Sequence, residues 1–153
     1  MSPTLTGVHH LKFPAADLAA TLAWFRTALG AERLPDFDHR DHDGVLFGVI
    51  VRLPGLDVPV ELRQWPEAAE ATAGYDPVTF AVADRAALDV WVRHFDAAGV
   101  THSPVLAGFA GHLVELRTPD GLAIRLYTRL PDDPASIDMD PAHTDLGSTW
   151  LGK

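Results

Sequence analysis

Side chains able to hold charge or move protons fall on alternate positions of short apolar stretches: His10 and Lys12 in VHHLKF, Glu61 and Arg63 in VPVELRQ, Glu115 in HLVELR, Arg125 and Tyr127 in LAIRLY. Successive residues of a β-strand point to opposite faces, so this spacing gathers the polar groups on one face. The other face takes Leu11 and Phe13, then Val58, Val60 and Leu62, then Val114 and Leu116, then Leu122, Ile124 and Leu126. In PVTFAVA the apolar set is Val78, Phe80 and Val82, with Thr79 opposed. An imidazole, carboxylates and fixed cations on one face suit proton transfer beside a carbonyl. His10 or Glu61 would shuttle the proton, and Lys12, Arg63 and Arg125 would stabilise the developing oxyanion. The same face carries Val8, Pro77, Ala81, Leu113 and Ala123, a mixture better suited to lining a concavity than to meeting bulk water. A solvated polar face is the bland alternative.

These strands need elements to stand against. Asp17 is placed to cap a helix whose stripe is Leu18, Leu22, Phe25 and Leu29, and Gly30 stops it. Nearly half the chain further on the pattern recurs: Asp84 caps, Leu88, Trp91, Phe95 and Ala98 form the stripe, and Gly99 closes. GVLFGVIVRL, apolar on both sides, reads as a central strand. The helices bury their stripes on the apolar face of the sheets, leaving the opposite face for chemistry.

Length and composition narrow the function. A chain of 153 residues, 47% hydrophobic, suits one domain. It has no cysteine, so disulfides, thiolate metal sites and a Cys nucleophile are out of reach, and a reducing compartment is expected. MSPTLTGVHH has neither the basic nor the apolar region of a signal peptide, and no run is long and apolar enough to span a bilayer. A cytoplasmic protein with no membrane partner is expected. A formal net charge of −9 argues against nucleic acid as a partner. Gly-x-Ser-x-Gly, P-loop and dinucleotide fingerprints are absent from the sequence.

HHLKFPAADLAATLAWFRTALG and TPDGLAIRLY, with VELRQW and DPVTFAVAD between them, resemble the vicinal oxygen chelate (VOC) superfamily of glyoxalase I, bleomycin-resistance proteins, fosfomycin-modifying enzymes and extradiol dioxygenases. The resemblance covers about residues 7 to 128. It implies an α+β fold: two βαβββ modules, residues 5–66 and 75–129 of a single domain at 1–129, whose curled mixed sheets surround a central cavity. Residues 130–153, rich in Pro and Asp, would follow as an extended tail, with Trp150 and Leu151 anchoring on the body or a partner subunit, or else disordered. A homodimer is expected from the resemblance.

The superfamily holds a divalent metal, and its first-module ligand positions fall on His10 and Glu61. In the second module the corresponding positions hold Pro77 and Arg125, so half of the usual site is missing. An arginine there repels a dication, and its guanidinium is expected to pair with Glu61 instead. No cofactor is therefore expected. If a zinc, nickel, manganese or iron ion is bound, His10 and Glu61 hold it, with Glu115 as third ligand; the alternative for Glu115 is a salt bridge to Lys12, Arg63 or Arg117.

The catalytic candidates are His10, Glu61 and Arg125, and the substrate-binding candidates Lys12, Arg63, Thr79, Glu115 and Tyr127. The expected activity is isomerase or lyase chemistry on a small oxygenated metabolite. A metal-free binding protein that sequesters its ligand, as resistance members of the superfamily do, is the alternative; a metal-dependent dioxygenase or lyase is the second. Elsewhere, DFDHRDHDG, with His39 and His42, reads as a charged hairpin loop near the cavity mouth before it reads as a metal site. His9 is expected on the helix side as a packing residue, His94 at the surface, and His102 and His112 at strand starts.

Overall fold

Both long helices begin and end on local chemistry. Helix α1, Leu18–Leu29, starts where the Asp17 carboxylate accepts a hydrogen bond from the Ala20 N–H at 3.0 Å. It stops at Gly30, whose φ of 67° is the left-handed conformation that glycine adopts without a Cβ penalty. Helix α3, Arg85–Ala98, repeats the arrangement with Asp84 accepting from Ala87 N–H at 2.8 Å and with Gly99 at φ 67°. The buried stripe of α1 contains Leu18, Leu22, Phe25 and Leu29, and that of α3 Leu88 and Phe95. Full burial of each such side chain is worth roughly 1.5–3 kcal/mol.

The computed structural model of the protein describes residues 1–151. It divides into two units, Met1–Thr72 and Ala73 onward. In the first, strands β1 (Leu11–Ala15), β2 (Glu32–Arg33), β3 (His39–Arg40), β4 (Leu46–Arg52) and β5 (Val60–Gln64) form a sheet of order β1-β5-β4-β2, with β3 also paired to β4. Strand β1 runs parallel to β5, and β4 antiparallel to it. A short helix α2, Pro66–Ala71, follows. The second unit has β6 (Val78–Val82), then α3, then β7 (Leu106–Gly108), β8 (Gly111–Arg117) and β9 (Ala123–Thr128), in sheet order β6-β9-β8-β7. The architecture is α+β, two βαβββ units as expected, the first with the two-residue strand β3 added beside β4.

Each sheet lays its apolar face on its helix, α1 against β5 and α3 against β8 and β9. Phe13, Val49, Val51, Val60 and Leu62 are buried in the first unit, and Val114, Leu116, Ile124 and Leu126 in the second. On the opposite face the registers correspond. Lys12 sits beside Glu61 in the first sheet as Thr79 sits beside Arg125 in the second. The GVLFGVIVRL segment is an interior strand, β4, between β5 and β2.

One local expectation changes, and an alternative left open is decided. Strand β1 starts only at Leu11, so Val8, His9 and His10 precede the ladder, and His9 is exposed rather than packed under the helix. The tail is not free: residues 134–136 and 141–143 form 3-10 turns capped by Asp133 and Asp140, and Leu151 is buried against Leu106 and Leu113 of its own unit. Lys153 and Gly152 lie outside the described residues. Among the described residues no helix is long and apolar enough to cross a membrane.

Candidate functional site

Glu61 is the centre of the polar face in the first unit. Its neighbours on β5, Val60 and Leu62, anchor the strand in the core, and the intervening carboxylate turns to the other side yet is only 2% exposed. Arg63 Nε donates to Glu61 Oε1 at 2.6 Å, and the Lys12 ammonium stands 3.3 Å from Oε2. Burial by itself would raise the Glu61 pKa. The Arg63 hydrogen bond, helped by Lys12, outweighs it and holds the group below its ordinary value of 4.5. Glu61 is thus a fixed anion at neutral pH. The Arg63 guanidinium is also held over the Phe47 ring, 5.4 Å from its centroid.

Two imidazoles flank the same carboxylate. His10 Nε2 lies 3.8 Å from Oε2 and His39 Nδ1 3.4 Å from Oε1. His9 and His10 share a hydrogen bond of 2.9 Å between their Nδ1 atoms, one ring donating and the other accepting. Strand β3 delivers His39, which is paired in register with Gly48 of β4. A Cβ at position 48 would stand 3.3 Å from His39 Cβ and Nδ1 and 3.4 Å from Glu61 Oε1, so the missing side chain makes room for that contact. These groups line a cavity of about 580 Å³ that contains His9, His10, His39 and Glu61 together with apolar Phe37, Ile50 and Pro59. Two acids complete the wall. Asp38 is taken up by Arg33, whose hydrogen bond lowers its pKa, while Asp36 is exposed at the rim.

His39 and His9 were not assigned to this site from the sequence. The DFDHRDHDG run is indeed a hairpin, its turn organised by Asp41 Oδ1, which accepts from the N–H groups of Asp43 and Val45. The readable signal for His39 was the glycine in the middle of β4, a strand position with no side chain to fill it.

The second unit carries its own ion network. Glu115, fully buried, accepts from Arg125 Nε at 2.9 Å through Oε2, and its Oε1 lies 2.6 Å from the Arg117 guanidinium. Oε1 has no partner in hydrogen-bond geometry, so Arg117 holds it as an ion pair alone. Arg125 also reaches Asp76 at 2.8 Å. The pairing expected between Arg125 and Glu61 is therefore replaced: Arg125 takes Glu115 and Asp76 of its own unit, and Glu61 takes Arg63 and Lys12. The physical reason is the register, which sets Glu115 directly across from Arg125 on β8 and β9. The salt-bridge reading of Glu115 holds for Arg117. Thr79 is exposed beside Arg125, and the Tyr127 hydroxyl accepts from the Ala110 N–H at 3.1 Å, tying down the β7–β8 turn.

The donors of the first unit are engaged with one another and with cations. Both Glu61 oxygens already face a cation, and among the described residues no three His, Cys, Asp or Glu side chains gather in a metal-holding arrangement.

Two βαβββ units, each setting one sheet face on a helix and collecting ionisable groups on the other, define an α+β fold built on an internal repeat. Residues 7–126 match the model of the Glyoxalase/Bleomycin resistance protein/Dioxygenase superfamily, and the chain belongs to that superfamily. Solved structures agree on the fold. A glyoxylase/bleomycin resistance protein/dioxygenase domain from Frankia sp. EAN1pec shares 21% identity, covering 82% of this chain and 98% of that one with a TM-score of 0.63. Lactoylglutathione lyase from Agrobacterium tumefaciens shares 19%, covering 82% and 96% with a TM-score of 0.63. TnmS3, an antibiotic binding protein from Streptomyces sp. CB03234, shares 18%, covering 83% and 98% with a TM-score of 0.66. No curated protein matches the sequence.

Proposed function

We propose that this chain is an enzyme of isomerase or lyase type that moves a proton on a small oxygenated metabolite with organic side chains, without a resident metal. One observation carries the reading: a carboxylate 2% exposed, held ionised at the floor of a cavity of about 580 Å³, with an imidazole beside each of its oxygens. A general base must be deprotonated before it can act, and imidazoles exchange protons near neutral pH. Glu61 orients His10 and His39 and offsets the charge that either gains on accepting a proton. Lys12, half-exposed beside Glu61, supplies the cation for an oxyanion developing on the substrate. Phe37, Ile50 and Pro59 take the apolar part of the ligand. Arg125 and Thr79 remain candidates on the second sheet, with Glu115 and Asp76 holding the arginine in place.

A second reading, sequestration of a ligand without turnover, is favoured by one feature. Glu61 and Asp38 both have cationic partners, so the buried charge is satisfied without any reaction. The solved relatives include both a lyase and an antibiotic binding protein at similar identity.

Native mass spectrometry of the protein after exposure to metabolite extract identifies the retained molecule, the metal content and the subunit number together. Incubation of that molecule with the protein then decides. A product formed with pH-dependent turnover, lost in His10→Asn and reduced in Glu61→Gln, supports the enzyme. Stoichiometric retention of an unchanged molecule replaces it with sequestration. One tightly bound metal ion per chain, lost in His10→Asn, overturns the metal-free mechanism.

A further inference from the structure

We propose that Glu61 imposes one direction on the hydrogen bonds of the cavity imidazoles, and that this makes the Nε2 atom of His9 a catalytic base, with His10 as the relay behind it. The inference rests on the proton-transfer reading of the cavity and adds a residue which that reading does not use.

The placement of the two rings comes first. Within a strand, adjacent side chains point to opposite faces, so neighbouring histidines could not both reach one cavity. Strand β1 begins only at Leu11, whose N–H donates to the Pro59 carbonyl at 3.1 Å. Gly7 has φ 140°, a backbone state that a side chain disfavours, so the approach to His9 is not a continuation of the strand. Freed from alternation, His9 and His10 both line the cavity with Glu61. Their ring centroids are 5.1 Å apart with the planes at 80°, and their Nδ1 atoms are 2.9 Å apart.

A hydrogen bond between two neutral imidazoles needs an N–H on one ring and a lone pair on the other. Its direction is set at the far end of the chain. There, His10 Nε2 stands 3.8 Å from Oε2 of Glu61, a carboxylate that Arg63 and Lys12 keep ionised. An N–H turned toward that anion is attracted and a lone pair is repelled, so neutral His10 carries its proton on Nε2. Its Nδ1 is then the acceptor, and His9 Nδ1 the donor. The same rule at the other oxygen puts the His39 proton on Nδ1, 3.4 Å from Oε1.

The consequence falls on His9. A neutral ring has a single N–H, so His9 Nε2 is bare, and His9 makes no other hydrogen bond or ion pair among the described residues. Both nitrogens of His10 are engaged. When His9 Nε2 takes a proton from a ligand C–H, the electron pair of that bond stays in the ligand as the oxyanion that Lys12 faces. The Nδ1 proton of His9 passes to His10 Nδ1 in the same step. His9 ends neutral with its proton on Nε2, and His10 ends as the cation beside Glu61, which offsets the new charge.

The test begins with imidazole nitrogen NMR of the full chain at about pH 8.5, about two units above the ordinary imidazole value. His10 and His9 should show opposite tautomers, Nε2–H and Nδ1–H, each in at least about tenfold excess. Glu61→Gln should lower the excess on His9, His10 and His39 together, by at least about threefold. His10→Phe, which keeps the buried carboxylate, should abolish the excess on His9 and leave it on His39. A His10 proton on Nδ1, or a His9 tautomer indifferent to His10→Phe, overturns the proposal. The second measurement is deuterium exchange at the α-carbon of hydroxyacetone in heavy water. His9→Phe should slow the exchange catalysed by the protein at least about 100-fold. Equal exchange by the wild type and His9→Phe overturns the role of His9 while the proton-transfer reading stands. No exchange above buffer by the wild type overturns that reading and the role of His9 with it, so the two failures are told apart.

Discussion

Replacing Arg63 with Met tests what holds the buried carboxylate. Methionine keeps the stem and a favourable contact with the Phe47 ring beneath it, so the change removes the charge and the hydrogen bond. A hydrogen bond to a charged group contributes about 1.5–3 kcal/mol, and stripping one partner from a fully buried pair costs about 3–5 kcal/mol. Arg63 is 31% exposed and Lys12 still stands 3.3 Å from Glu61, which places the loss near the low end, about 2 kcal/mol at pH 7. At about 2–4 °C per kcal/mol for a chain of this size, the Tm should fall by about 4–8 °C.

The pH dependence fixes the mechanism. In the wild type the folded pKa of Glu61 lies below 4.5, so its contribution is present above the unfolded pKa and fades as pH falls through the folded value. In Arg63→Met the leading cause of the wild-type decrease is gone and burial pushes the pKa up, so the ionised carboxylate destabilises the variant at neutral pH. That penalty is relieved as pH falls through the raised value. The gap between the two proteins, measured by urea unfolding followed by circular dichroism, should thus be widest near pH 7 and narrow steadily toward pH 4.5. A gap below about 0.5 kcal/mol at pH 7, or one that stays constant or widens on acidification, refutes the assignment of Arg63 as the group that keeps Glu61 ionised.

Other outcomes follow from the same geometry. Gly48→Ala should displace His39 from Glu61, costing about 1 kcal/mol in thermal unfolding; imidazole nitrogen NMR should then show His39 no longer responding to Glu61→Gln. Gly108→Ala collides with the Tyr127 hydroxyl and should lower stability by about 1–3 kcal/mol, a loss that Tyr127→Phe combined with it recovers in part. Glu115→Ala leaves Arg125 with Asp76 alone and Arg117 without its ion-pair partner; denaturant titration should show a loss of about 3 kcal/mol or more. Asp17→Ala removes the cap on α1 and should cost about 1 kcal/mol, with Asp17→Ser recovering most of it.

The helices were legible because a cap, a stripe and a terminating glycine act within a dozen or so neighbouring residues. Asp17 to Gly30 and Asp84 to Gly99 form as expected. The faces of the strands were legible for the same local reason: side-chain direction alternates whatever the strand pairs with. Glu61, Arg63 and Lys12 were thus placed on one surface before any register was known. Alternation gives no information about which residue of another strand comes opposite. Arg125 was expected against Glu61, and the register of β8 with β9 presents Glu115 instead. His39 lay in a charged run resembling any hairpin loop, and only the pairing of β3 with Gly48 carries its ring to Glu61.

The amino-acid order by itself determined the internal repeat of capped helices and the face on which the ionisable groups collect, since each depends on period, cap and spacing along the chain; the two βαβββ units and the superfamily followed from the resemblance its motifs carry. Tertiary structure alone decided which of those groups meet, because the partners come from strands far apart in sequence and a shift of one residue in register exchanges every neighbour. It likewise decided the place of the tail, whose composition is that of a solvated segment and whose Leu151 is held by a surface that exists only once Leu106 and Leu113 lie side by side.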